Sequence, residues 1–167
     1  MNPNRDTTRR IIEFLIEIGL EVEHARWEGE TFLPGVKLLA GRLLVDETRL
    51  LYPGDLLHEA GHLAVLPQAA RAKVSDVITE ADGNDEVVEV AAIAWSYAAL
   101  THLGLEPAVV FHPHGYLGNA AGLLLSFQLG VYPGAPFLQA AQMTALGERA
   151  RELGAPPYPH MQKWLRD

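Results

Sequence analysis

The stretch His58-Glu59-Ala60-Gly61-His62 most narrows what this chain can fold into, because it sets two imidazoles and a carboxylate inside an apolar run. Leu56, Leu57, Leu63, Val65 and Leu66 surround it, and apart from Glu59 no acidic or basic side chain stands between Asp55 and Arg71. Pro53-Gly54-Asp55 supplies a helix start and Pro67 a stop. The expected element is therefore a buried helix over residues 56–66. On it, His58 and His62 share one face, one turn above the other. Burying such groups costs free energy unless they are partnered, and a shared metal ion partners both imidazoles at once.

Imidazole nitrogens presented in this way can take two corners of a zinc tetrahedron. Glu59 points to the side of the pair and can reach a water there without binding the ion. The usual reading of this HExxH arrangement is a metallohydrolase with the glutamate as general base. A third ligand is required, yet no further histidine follows in Leu63-Ala64-Val65-Leu66-Pro67, and the chain has no cysteine. The candidates are Glu86 and Glu89, three apart on the next helix and so on a common face. Glu89 leads into a small, apolar stretch that must be buried. Glu86 lies in the first turn, where the helix dipole alone accounts for a carboxylate. Glu89 is favoured, with Glu86 either supporting it or taking its place.

The pairing of HExxH on one helix with a glutamate on a following one resembles the gluzincin class of zinc metallopeptidases. In scale and layout it is most similar to the compact ImmA/IrrE-type and minigluzincin proteins. The matching pieces are Gly41-Arg42-Leu43-Leu44-Val45-Asp46, the motif helix, and the helix from Glu89 to Ala99, within roughly residues 35–100. The resemblance implies zinc (Zn2+) held by His58, His62 and Glu89, Glu59 as the base, and a peptide or protein substrate. It also implies a His or Tyr hydrogen-bond donor for the developing oxyanion, for which Phe111-His112-Pro113-His114-Gly115-Tyr116 offers His112, His114 and Tyr116. The chain departs from the pattern at Ile93 and Val90, where several of those families carry Asp or Asn after the ligand glutamate. From Phe111 onward it matches none of them. A catalytically limited zinc-binding regulator or sensor on the same scaffold is the competing reading, and a purely structural helix without metal is a third.

The rest of the chain is consistent with one small α+β domain over residues 1–167, mostly helical, zincin-like, with a small antiparallel or mixed sheet before the motif helix. Asp6-Thr7-Thr8 caps a first helix, and residues 21–27, 36–40 and 42–46 read as strands, most simply an antiparallel set. Residues 69–83 read as a loop able to cross the site entrance, 86–103 as the second core helix, and 120–128 and 137–153 as later helices. Trp95 and Tyr97 are expected in the core. A net charge of −8 without a basic run argues against nucleic acid as a partner. The polar start and the interrupted apolar stretches argue against a leader or a membrane span, which makes the cytoplasm the expected location.

Overall fold

Ile11, Ile12, Phe14 and Leu15 recur with helical spacing, and helix α1 (Pro3–Glu17) buries all of them. The computed structural model describes residues 3–75 and 85–167 of the chain. Helix α1 begins earlier than the expected cap at Asp6. Thr8 is already inside the helix, its hydroxyl donating to the Asn4 carbonyl at 2.8 Å, and Asp6 is paired with Arg9 at 2.6 Å. A proline at the first helical position has no N–H to leave unsatisfied, so the helix can start there.

Strands β1 (Val22–His24), β2 (Val36–Leu39) and β3 (Arg42–Val45) form one sheet in the order β1-β3-β2. β2 and β3 make a hairpin whose turn residues, Ala40 and Gly41, both have positive φ (49° and 76°), as a tight two-residue hairpin turn requires. β1 runs parallel to β3, so the sheet is mixed and not antiparallel throughout. The long connection over residues 25–35 lets β1 pair on the free side of β3 instead of folding back onto β2. The facing pairs Val36↔Val45 and Leu38↔Leu43 point one way and are buried.

On this sheet lies α2 (Asp55–Ala64), the motif helix, and against α2 lies α4 (Asp85–His102). Helix α4 is apolar on most sides from Ala91 to Leu100, with Ala91, Ala92, Ala94, Trp95, Ala98 and Ala99 at 2% exposure or less, which marks it as the central helix. Trp95 donates from its indole N–H to the Trp164 carbonyl at 2.9 Å and is fully buried in the core, and the half-buried Tyr97 packs against that core, stacking on Phe127 at 4.5 Å. The short α3 (Gln68–Arg71) follows Pro67. The loop expected over 69–83 thus begins with a helical turn, and its remainder from residue 76 lies outside the described residues.

Helices α5 (Ala120–Gln128), α6 (Ala135–Ala140) and α7 (Gly147–Leu153) complete the α+β fold. The single helix expected over 137–153 is two, because the intervening backbone bonds elsewhere. Gln142 turns with φ 58°, the Leu146 amide goes to the Gln139 side chain at 2.7 Å, and Thr144 bridges to Met161. The C-terminal segment then straps the two central helices. Tyr158 donates to the Ala94 carbonyl at 2.9 Å, and the Arg166 amide donates to the Ala64 carbonyl at 2.9 Å. Arg71 caps the same end of α2, its guanidinium donating to the carbonyls of Leu63, Leu66 and Arg166. Among the described residues, no helix is long and apolar enough to cross a membrane.

Candidate metal centre

What brings the motif helix close to α4 is the absence of a side chain at Gly61. A Cβ there would stand 2.8 Å from the Ala92 carbonyl oxygen and 3.1 Å from the Ala92 Cα. One turn along the same contact the Ser96 hydroxyl shares its proton between the Ala92 carbonyl of its own helix at 2.7 Å and the Leu57 carbonyl of α2 at 3.1 Å, which links the two helices. Ala60 and Ala92 fill the contact with little more than backbone. The faces carrying His58 and His62 on α2 and Glu89 on α4 are thereby held together.

The three side chains converge. His58 Nε2 and His62 Nε2 are 3.2 Å apart, Glu89 Oε2 is 3.1 Å from His62 Nε2, and Glu89 Oε1 is 3.6 Å from His58 Nε2. A tetrahedral zinc ion with bonds near 2.0–2.1 Å requires ligand atoms about 3.3 Å apart. The His58–His62 and His62–Glu89 spacings match that requirement, and Glu89 faces His58 with its other oxygen at the longer distance. One ligand atom from each residue lies within 4.8 Å of the other two, and no other group of three potential ligands gathers among the described residues. Both imidazoles are largely enclosed, while Glu89 remains 42% exposed, so the described residues leave one side of the cluster open. Glu86, one turn earlier on α4, is exposed and outside the cluster.

Burial, and then the neighbouring His62, push the His58 imidazole down to about 4 from its ordinary 6.5, with Glu89 opposing. His58 is therefore neutral near pH 7, the protonation state a metal ligand needs. Burial alone would raise the Glu89 carboxyl. The hydrogen bond with His62 and the positive charge the imidazoles take on in acid outweigh it, and the net shift is downward.

This gives a prediction for the chelator-treated protein. Unfolded His58 takes up a proton near pH 6.5, whereas the folded protein resists until about 4, so acid favours the unfolded chain. The contribution is fully present above pH 6.5 and falls away by about 3 kcal/mol as pH drops to about 4. Glu89 adds a loss of the same sign below pH 4.5. Urea unfolding at a series of pH values checks this, and His58→Phe should flatten the upper part of the curve.

Of the three residues of the 111–116 segment offered as donors, Tyr116 is the one placed against a histidine of the metal cluster. Its ring meets the His58 imidazole edge-on, with centroids 5.3 Å apart, and its hydroxyl is buried with no hydrogen-bond partner among the described residues. Burial and the negative charges of Glu89, Asp55 and Glu59 push its pKa up, so the phenol stays protonated as a donor. Tyr116 and Leu117 both have left-handed backbone (φ 53° and 52°), which costs about 1 kcal/mol or more for each such residue. His58 Nδ1 is likewise buried with no partner among the described residues, so it lacks the outer hydrogen bond that commonly orients a ligand imidazole.

His114 is exposed and lies over Tyr52 at 5.8 Å. His112 is buried and bonded through Nε2 to Asp55 at 2.9 Å. Asp55 reads from sequence only as part of a helix start. Its partner is 57 positions away, and no local signal joins the two. No protein-family model matches the chain, and comparison with curated proteins and with solved structures found no significant match.

Proposed function

We propose that the protein is a zinc-dependent hydrolase acting on peptide bonds, with Glu59 as general base. The observation that carries this reading is the convergence of His58, His62 and Glu89 at the spacing of a tetrahedral zinc site, with Glu59 adjacent in the motif. Zinc held by those three residues would polarise the scissile carbonyl and lower the pKa of a water beside it. Glu59 takes the proton of the attacking water and returns it to the leaving amine nitrogen. The Tyr116 hydroxyl, protonated and otherwise unpartnered among the described residues, donates to the carbonyl oxygen as negative charge develops there. Glu86 and His114 take no step in this scheme.

The substrate is a peptide or protein, and the open side of the cluster at Glu89 is where it approaches. A cytoplasmic setting belongs to the same proposal. The test is incubation of the zinc-loaded protein with a mixed peptide library, read by mass spectrometry, beside chelated protein. The reading requires new termini that appear only with zinc. A folded protein with stoichiometric zinc that cleaves nothing in the library would favour the zinc-binding regulator instead.

A further inference from the structure

Beside the metal cluster sits a second buried polar pair that the hydrolytic scheme does not use. Asp55, in the first turn of α2, and His112, at the start of the loop carrying Tyr116, are 5% and 4% exposed. Nε2 of His112 donates to Oδ1 of Asp55 at 2.9 Å. The imidazole is clamped on its faces. Tyr52 stacks on it at 3.8 Å with the rings 8° from parallel, and a Cβ on Gly115 would stand 3.3 Å from its Cε1. The backbone closes the same junction, because Gly54 has no room for a Cβ, which would lie 1.9 Å from the Val109 carbonyl oxygen.

We propose that Asp55 and His112 form a latch that fixes the loop of residues 112–118 to the first turn of the metal-ligand helix and thereby positions the Tyr116 hydroxyl. Three observations support this over a role in stability alone. A buried, hydrogen-bonded polar pair adds little stability compared with apolar residues of the same size, so its use here points to a geometric role. The loop it anchors holds two consecutive non-glycine residues, Tyr116 and Leu117, in left-handed conformation, which a loop does not keep unless it is held. The anchoring point on α2 is three residues before His58, whose ring Tyr116 touches. His112 and Asp55 are thus positioning residues. Their relevance to hydrolysis rests on the function proposed above, while the latch itself stands apart from it.

The test uses the full-length, zinc-loaded protein and amide hydrogen exchange, which needs no substrate. The reporters are the amides of Gly115, Gly118 and Asn119, which donate to the carbonyls of His112, Gly115 and Tyr116 at 3.0 Å each. In His112→Ala these three should exchange at least about tenfold faster, while the Val65 amide, which caps the end of α2, keeps its protection and the zinc content is unchanged. His112→Gln can still donate a side-chain N–H to Asp55 and should restore most of the protection. Tyr52→Leu, a milder change that removes only the stack, should accelerate the same amides and leaves a test in hand if His112→Ala does not fold. Acceleration spread evenly over the chain, no change at residues 115–119, or no rescue by glutamine would each overturn the latch. Failure of the wild type to hydrolyse any peptide would remove the consequence for catalysis and leave the exchange result intact.

Discussion

Glu59→Gln is expected to purify with its zinc intact and to lose hydrolysis by about 10³-fold or more, since general-base catalysis by a positioned side chain contributes about 10²–10⁴-fold. The change keeps the size and shape of a half-buried side chain and removes only its ability to take a proton. Because Glu59 is not one of the three converging ligands, the metal site has no reason to weaken. Circular dichroism and zinc analysis on the same sample establish that fold and metal are unchanged, and cleavage rates on a peptide identified with the wild type give the loss. A Gln variant with wild-type rates would remove Glu59 from the mechanism.

Gly61→Val is expected to disturb both the fold and the metal cluster. A glycine in an ordinary exposed helix gains about 1 kcal/mol on conversion to alanine. At Gly61 the added Cβ would lie 2.8 Å from a main-chain oxygen of α4, and backbone in the middle of a packed helix cannot rotate away. Overpacking of this kind costs about 1–3 kcal/mol. Gly61→Ala should therefore be close to neutral or destabilising, against the helix propensity, and Gly61→Val should cost about 3 kcal/mol. The more specific consequence concerns the site. Separating α2 from α4 draws the histidines away from Glu89, so zinc affinity should fall by about tenfold or more, which corresponds to about 1.4 kcal/mol. Denaturant unfolding and zinc titration of the pair of variants measure both effects. Unchanged stability in Gly61→Val would mean the helices do not pack as described.

Parts of this architecture were legible because they rest on local chemistry. The motif helix is bounded by its own proline and glycine signals, α5 coincides with a mostly apolar run, and the length of α4 follows from its small residues. What escaped was what depends on distant partners. The parallel pairing of β1 with β3 follows from the path of residues 25–35, not from any strand pattern. The break between α6 and α7 follows from Thr144 finding Met161 across the chain. The site divides in the same way. His58 and His62 share a face by helical geometry alone, whereas the choice of Glu89 over Glu86 in the cluster depends on how deeply α4 packs at Gly61. Residues 111–116 were visible as a polar cluster. That Tyr116 meets His58, His112 meets Asp55 and His114 faces outward follows from the backbone turning left-handed at Tyr116 and Leu117 and from the docking of Gly54.

The central claim is that His58, His62 and Glu89 bind a metal ion, and elemental analysis of the untagged protein, purified without added metal, tests it most directly. The expected result is about one zinc per chain, retained in Glu86→Ala, weakened in Glu89→Ala and lost in His62→Ala. A folded wild-type protein that takes up no zinc on titration, or a His62→Ala variant that keeps it, would contradict the account.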